Sequence, residues 1–573
     1  MRDRFLWKIG GEAGFGIMTT GLNFSKIAAR SGFYIFDCFE YPSLIRGGHN
    51  TYETIISKDP VYATRNEVDL LVCLNKETFE LHKNRLHTDS LVVFDEENFQ
   101  IPDGDFHKLA IPMKKILREQ KGSMVMMNNV ALAASLSLLN WPYEEIEKII
   151  IQSFKKKGQN VIDLNARISR MTYDYVTEQY EKHIVHDFLP TKNPEKKVVL
   201  TGNDAFSLAA IAADCRFYAA YPMTPASTVL TTMAGLAEKT GMVVRHAEDE
   251  ISVINTALGA SVAGVRSSVG TSGGGFALMT EAVSFAGIGE IPIVIFLSQR
   301  PGPATGLPTW TEQGDLLFAV NAGHGEFPKI ILAPGDTEEM FALTMRAFDL
   351  ADTYQTPVII LSDKHLSEST MSIPAITLKL SAKSNSPDRG KRISKAENYL
   401  RYAKSADGIS PLLIPGAPHS FYQINSYEHE EDGHTTEDAQ MRVEQVEKRN
   451  KKTQTYLQKD FKMPETHGNM ADAEIIFVSW GSNKGAILEA QKVLASKLIK
   501  TAFIHFTHVF PMDEKKILPL FEAKKRYILV ENNSHGQFGK LLREQTGVVL
   551  TEKILKYDGR QLYVEEIVEY VTV

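Results

Sequence analysis

Short apolar runs, glycine- or proline-bearing loops and stretches of helical spacing alternate along most of this chain. At the start, Phe5-Leu6-Trp7-Lys8-Ile9 is an apolar run and Gly10-Gly11-Glu12-Ala13-Gly14-Phe15-Gly16 a turn. Residues 17–30 then carry apolar positions at helical spacing, and 33–38 predicts a second strand, so the opening reads as a βαβ unit. Further strands are predicted at 51–56, 70–74 and 91–94, and helices at 129–139, 143–155 and 161–180. The polar, proline-containing segment 188–197 reads as a linker.

A second α/β region opens at Val198-Val199-Leu200, with more strands expected at 216–220, 242–246, 292–298, 329–333 and 358–361 and a helix at 250–265. Such alternation predicts a mostly parallel sheet covered on both faces. Residues 380–465 break the rhythm: they are polar, charged and poor in strand signals, with charged helical spacing from 437 to 457. A third small α/β unit follows, with strands at 474–480, 501–506 and 526–531, a glycine turn at 481–485 and a final amphipathic helix. His505 and His508 flank one of its apolar runs and read as packing or edge residues. The fold class is therefore α/β, with α/β domains at 1–187, 198–375 and 469–573 and a polar extension at 376–468.

Composition changes this picture little. A chain of 573 residues exceeds one hydrophobic core, and 43% hydrophobic with 23% charged residues is ordinary for a soluble protein. A net charge of -7 argues against broad nucleic-acid binding. Neither a signal-peptide pattern nor an uninterrupted apolar stretch of membrane-spanning length is found, so no membrane association is expected. The three cysteines, Cys38, Cys73 and Cys215, lie far apart without a C-x-x-C pair, which suits a reducing cytoplasm. Three thiols cannot ligate a four-cysteine iron–sulfur cluster.

The candidate chemistry gathers between residues 221 and 309. Tyr221-Pro222-Met223-Thr224-Pro225, His246-Ala247-Glu248-Asp249-Glu250, Thr271-Ser272-Gly273-Gly274-Gly275 and Gln299-Arg300-Pro301-Gly302-Pro303 each adjoin a short apolar run. α/β domains place their site loops at such positions. Glu248 and Asp249 stand near the predicted start of a helix, where a carboxylate is favoured by the dipole, so both read as capping charge, with chemistry the alternative for Glu248. Arg300, in a proline-stiffened loop, suits bidentate capture of a carboxylate or a structural ion pair. Thr224, held extended before a proline, offers its hydroxyl to a carbonyl oxygen or to the next helix as a cap.

Outside this stretch, the Gly11–Gly16 loop lacks G-x-G-x-x-G spacing but exposes backbone N–H groups that suit a phosphate; a plain tight turn is the alternative. The segment from Glu40 to Asn50 is an anion-binding loop or a bland one. His429 and His434 have the wrong spacing to share a helix face, and Gly433 disfavours a helix there, so no metal site is expected on this chain.

In this order the segments resemble a known family. Y-P-M-T-P resembles the Y-P-I-T-P signature of the 2-oxoacid:ferredoxin oxidoreductases, and H-A-E-D-E, T-S-G-G-G-F-A-L-M-T-E and R-P-G-P-A-T-G-L-P-T are similar to that family's next three blocks. G-G-E-A-G-F-G and Y-P-S-L-I-R-G-G-H resemble its γ domain, while E-N-Y-L-R-Y, G-I-S-P, E-H-E-E-D-G-H and E-N-N-S-H-G-Q match its α subunit. The resemblance spans nearly the whole chain and identifies it as a fused γ–α subunit, with 198–375 the pyrimidine-binding thiamine diphosphate domain and 469–573 like a transketolase C-terminal domain.

The resemblance implies oxidative decarboxylation of a 2-oxoacid to an acyl-CoA and CO2, with reduction of ferredoxin. It implies that Glu248 contacts N1′ of the cofactor's aminopyrimidine and so favours the imino tautomer, whose N4′ takes the thiazolium C2 proton. Arg300 and Thr224, with Pro225, would hold the substrate's carboxylate and keto oxygen, and Tyr221 and Pro222 would border the cofactor. Gly11, Gly14, Gly16, Ser43, Arg46 and Gly47 would lie near CoA, the co-substrate. The family's G-D-G…N diphosphate and Mg2+ motif is not matched by Gly335-Asp336-Thr337 or Asp558-Gly559-Arg560. The metal and a [4Fe–4S] cluster are therefore expected on a β subunit, which completes the site. Met223 replaces the signature isoleucine, and His246 stands where many members have glutamine. Two other readings compete: a non-catalytic CoA- or nucleotide-binding module that kept the fold, and a self-sufficient transketolase-like enzyme. Which 2-oxoacid is used is not legible.

Overall fold

The computed structural model describes residues 3–44, 47–378, 386–418 and 421–573. Strands and helices interleave throughout, as expected of an α/β chain. They form two compact units, one of Met1–Leu200, Ser369–Ala375 and Tyr563–Glu569, the other of Thr201–Glu368, Ile376–Leu562 and Tyr570–Val573.

The first unit is built on an eight-stranded sheet. Its order is His107–Ala110, Leu91–Phe94, Leu70–Cys73, Arg4–Glu12, His49–Ser57, Tyr34–Glu40, Thr370–Pro374 and Lys197–Thr201. The opening is not a simple βαβ unit. His49–Ser57 lies between Arg4–Glu12 and Tyr34–Glu40 and is antiparallel to both. Because it pairs along all of Arg4–Glu12, that strand runs on through Gly10 and Gly11, and the turn shrinks to the four residues before the helix Ile17–Arg30. Lys197–Thr201, expected to head the second sheet, is an edge strand of this one. Trp7, Phe24, Trp141 and Phe33 stack in series at 4.3, 5.6 and 5.6 Å between ring centroids, all buried. Each such ring contributes about 2–3 kcal/mol of burial. Their polar edges are satisfied: Trp7 Nε1 donates to Ser135 Oγ and Trp141 Nε1 to the Phe188 carbonyl.

The second unit carries a seven-stranded sheet in the order His508–Phe510, Ile330–Leu332, Pro357–Asp363, Ile293–Gln299, Arg266–Thr271, Cys215–Ala220, Val243–His246. All neighbours are parallel except the His508–Phe510 edge. A five-stranded sheet follows, of Glu465–His467, Thr501–Phe506, Ile475–Trp480, Arg526–Glu531 and Glu552–Leu555. Arg266–Thr271 is a central strand that the hydrophobic pattern does not announce. Its polar residues are buried and paired: Arg266 binds Asp349 and Asp352, both at 2.8 Å, and Ser267 Oγ donates to the Ala257 carbonyl.

The charged segment before residue 465 is packed in the same way. In the helix Ala439–Lys459, Lys448 and Lys452 are buried and bind Glu290 at 2.5 and 2.6 Å. His429 is buried against the Tyr402 ring, whereas His434 is exposed beside Asp432. His505 is buried on Glu339 and His508 on the Tyr456 hydroxyl, so both pack. Among the described residues no group of three or more His, Cys, Asp and Glu is placed to hold a metal, and no helix is long and apolar enough to cross a membrane.

Candidate active site

Four neighbouring parallel strands, Ile293–Gln299, Arg266–Thr271, Cys215–Ala220 and Val243–His246, end at one edge of the second unit's main sheet. The segments that follow them are R-P-G-P, S-G-G-G, Y-P-M-T-P and A-E-D-E, in that spatial order. Distant sequence blocks therefore meet because a parallel sheet puts the carboxyl ends of its strands together.

The joints between blocks are explicit. Arg300 Nη1 donates to the Thr224 carbonyl at 2.8 Å. Thr271 Oγ1 lies 3.9 Å from Met223 Sδ. Asn203 Nδ2 donates to the Pro225 carbonyl at 2.8 Å and to Thr228 Oγ1 at 2.7 Å, fixing the turn that carries Thr224. The Thr224 hydroxyl does not cap the following helix Ser227–Thr240, whose N-cap is Ala226. Tyr221 is exposed, with its ring 6.1 Å from that of His246, itself exposed; Pro222 is exposed and Pro225 buried.

Of the two capping candidates in A-E-D-E, Asp249 caps the helix Glu250–Val262, accepting from the Ser252 N–H at 2.8 Å. Glu248 precedes the helix and is exposed. Glu250 is buried at 3% exposure, and its Oε1 has no hydrogen-bond partner among the described residues. With the cap at Asp249, Glu250 falls in phase with the buried Val253, Ile254, Ala257, Leu258 and Ser261. A carboxylate on an apolar stripe was the signal in the sequence. Burial pushes its pKa up, helped by the neighbouring Asp249 charge and opposed by its own amide and the Thr271 hydroxyl.

Arg300 is half-buried and, apart from the Thr224 carbonyl, has no partner among the described residues. Burial lowers its pKa, and the Asp315 charge acts against that. Asp315, on the loop before the helix Leu316–Asn321, was not anticipated; burial pushes its carboxyl up to about 6, with Arg300 opposing. Glu312 nearby is also shifted upward, by burial and then by Asp315. Among the described residues the mouth thus offers the Arg300 guanidinium with N–H groups to spare, the Thr224 and Ser272 hydroxyls, and carboxyls that burial inclines to hold protons.

The chain as a whole is similar to known proteins. The alpha subunit of the 2-oxoacid:ferredoxin oxidoreductase of Saccharolobus solfataricus is 33% identical, over 99% of this chain and 97% of its own. The chain belongs to the 2-oxoacid:ferredoxin oxidoreductase family. The 2-oxoglutarate synthase subunit KorA of Archaeoglobus fulgidus is 32% identical over 65% of this chain and 98% of its own. Among solved structures, the 2-oxoglutarate:ferredoxin oxidoreductase of Magnetococcus marinus, with 2-oxoglutarate, coenzyme A and succinyl-CoA bound, superposes with a TM-score of 0.93 at 29% identity, covering 100% of this chain and 99% of that one. The family model for pyruvate ferredoxin/flavodoxin oxidoreductase matches residues 6–175, and its thiamine diphosphate-binding counterpart matches 208–448.

The remaining candidates of this 2-oxoacid:ferredoxin oxidoreductase subunit lie in the first unit. Gly11 is in the strand, buried, while Gly14 and Gly16 have φ of 102° and 73° and shape the turn. Ser43 and Gly47 are exposed on the loop that leads into His49–Ser57; Arg46 lies outside the described residues. Glu12 pairs with His49, so both loops leave from the same end of two paired strands.

Proposed function

We propose that this α subunit carries γ and α regions in one chain and supplies the pyrimidine-side half of a split active site. There a 2-oxoacid is oxidatively decarboxylated to an acyl-CoA and CO2, and the electrons pass to ferredoxin. The family-model matches at 6–175 and 208–448 support a γ region at 1–187 and a pyrimidine-type region from 198. The ligands of the Magnetococcus marinus enzyme support a 2-oxoacid and CoA as the substrates. With three cysteines, all buried, this chain has no four-thiolate set; the [4Fe–4S] cluster and Mg2+ are assigned to a β subunit. So few, widely separated cysteines also accord with a cytoplasmic location.

The observation that carries the reading is the orphaned Oε1 of Glu250. A buried carboxyl oxygen without a partner costs about 1–3 kcal/mol unless a ligand supplies one. A protonatable ring nitrogen of an aminopyrimidine fits that need, so Glu250 is assigned to N1′ in place of Glu248. Thiamine diphosphate, when bound, supplies the electron sink for decarboxylation. Glu250, inclined by burial to hold a proton, shares it with the ring nitrogen, and Tyr221 and Pro222 border the ring. Arg300 directs its free N–H groups to the substrate carboxylate, and Thr224 donates its hydroxyl to the keto oxygen. The CoA-proximal role of Gly11, Gly14, Gly16, Ser43, Arg46 and Gly47 rests on the γ-type loops that carry them.

Hydrogen–deuterium exchange at C2 of the bound cofactor, measured on the complex co-expressed with its β subunit, tests the assignment. Glu250→Gln is expected to slow exchange by about 10²–10⁴, the usual worth of acid–base assistance, while Glu248→Gln exchanges near the wild-type rate. Wild-type exchange in Glu250→Gln, or the reverse ranking, removes Glu250 from the role.

A further inference from the structure

A second carboxyl shares the mouth with Arg300 and has no work in the reaction described so far. Asp315 is the N-cap of Leu316–Asn321 by position only, for its side chain caps nothing. Its carboxylate has no hydrogen bond or ion pair among the described residues. Oδ2 lies 2.5 Å from where a Cβ on Gly273 would stand, so the group rests on the first turn of the helix Gly273–Ile288. The N-cap there, Ser272, has a buried hydroxyl that is likewise unpartnered.

The backbone around Asp315 is held on both sides. Its N–H donates to Gln299 Oε1 at 2.9 Å, and Gln537 takes the Gly314 carbonyl at 2.6 Å and the Leu317 N–H at 3.0 Å. Two residues earlier, the buried Gln313 side chain accepts from Asn483 at 2.8 Å and from the Asn532 N–H at 3.1 Å and donates to the Trp480 carbonyl at 3.2 Å. Asp315 therefore has little freedom to withdraw when a second anion arrives at Arg300.

We propose that Asp315 is the proton-linked residue of the substrate-carboxylate site: it balances the guanidinium before substrate arrives and takes up one proton from solvent as the 2-oxoacid carboxylate docks on Arg300. This rests on the reading of Arg300 as the carboxylate-binding residue. A second carboxylate brought to one guanidinium in a half-buried site raises the proton affinity of a neighbouring carboxylate that the guanidinium had been balancing. The charged groups coupled to Asp315 are Arg300, from the end of Ile293–Gln299, which opposes its uptake of a proton, and Glu312, on its own loop, whose proton affinity the Asp315 charge raises. The helix Gly273–Ile288 presents Ser272, the helix Gln537–Thr546 presents Gln537 and Ile293–Gln299 presents Gln299, all neutral. Burial already inclines Asp315 toward the proton, with only Arg300 opposing. Substrate pairing with Arg300 removes that opposition and adds a like charge. Asp315 thus acts through the substrate site as a positioning residue, with no part in bond breaking.

The test uses the assembled complex. KM for its 2-oxoacid is expected to rise with pH between 6 and 8, approaching about tenfold per pH unit, the signature of one proton. Asp315→Asn, nearly isosteric and permanently neutral, is expected to flatten that profile and to lower KM at pH 8, with kcat changed less. Calorimetry of oxamate or N-oxalylglycine binding to wild type, in two buffers of different ionisation enthalpy, is expected to show uptake of close to one proton at pH 7.5. Absence of uptake in wild type, or an unchanged KM profile in Asp315→Asn, overturns the proposal. Arg300→Ala separates the two readings. If it binds the analogue as wild type does, Arg300 is misassigned; if it loses binding while Asp315→Asn keeps the wild-type slope, only the Asp315 inference falls.

Discussion

Oε1 of Glu250 lies 2.3 Å from the point where a Cβ on Gly275 would project. Thr271 Oγ1 lies 2.2 Å from the same point. The absent side chain of Gly275 is what gives the Glu250 carboxylate its place on the helix Gly273–Ile288. Gly275→Ala must therefore push the carboxylate away, at a cost of about 1–3 kcal/mol for overpacking. C2 exchange in the complex is expected to fall by about 10²–10⁴. Gly274→Ala is the control, since its Cβ meets nothing within 4 Å; the isolated chain should gain about 0.5–1 kcal/mol from replacing a helical glycine. Exchange in Gly275→Ala within a factor of two of wild type would mean that the carboxylate's position is not used.

That contact also marks where sequence reading stopped. The four blocks were legible because each follows a strand, and a parallel sheet brings neighbouring strand ends together whatever their distance along the chain. Which carboxylate of A-E-D-E turns inward depends on helix phase. The phase is set by Asp249 as cap, a choice that three consecutive acids conceal. Arg266–Thr271 was hidden because its charge and hydroxyls are paired inside the protein, and hydrophobic periodicity records only unpaired preferences. The charged segment before residue 465 misled in the same sense, since Lys448 and Lys452 are interior groups with a shared counter-ion. The insertion of His49–Ser57 between two strands expected to be neighbours is a matter of long-range pairing, to which local spacing is blind.

Glu290 is that counter-ion, and removing its charge should be costly. It is fully buried with Lys448 and Lys452 on its two oxygens, and Arg401 donates to its carbonyl at 2.7 Å. Burial alone would raise its pKa, but Lys448, Lys452 and Arg401 together hold the carboxyl well below the usual range. Glu290→Gln leaves two interior ammonium groups uncompensated, and a loss of about 3–5 kcal/mol is expected in chemical denaturation. A folded-state pKa below the unfolded value gives stability that is present above the ordinary glutamate pKa and lost as pH falls through the depressed one. The part of the gap that comes from the Glu290 charge should thus narrow in acid below about 4.5, while above neutrality the gap also follows the discharge of Lys452, which burial brings down to about 7. A loss under 1 kcal/mol at pH 7 would show that the lysines discharge at little cost.

Asp37, in the first unit, predicts the opposite pH behaviour. Its carboxylate accepts from the hydroxyls of Ser25 and Tyr52, both at 2.7 Å, and from the Thr370 N–H at 3.0 Å. Burial nevertheless outweighs these three donors and pushes its pKa from 3.8 up to about 6. The folded state thus binds the proton more tightly than the unfolded chain does. Its contribution is fully present below the unfolded pKa and is lost as pH rises through the folded one, a change of about 3 kcal/mol across the two values. Asp37→Asn replaces the group with a neutral one of the same shape. Its amide N–H faces donors, so the variant carries a constant penalty that does not depend on pH. What should change is the slope: from pH 4 to 7 the unfolding free energy of wild type falls relative to that of Asp37→Asn, and above pH 7 the two run parallel. Parallel behaviour across the whole range would mean that the three donors keep Asp37 ionised throughout.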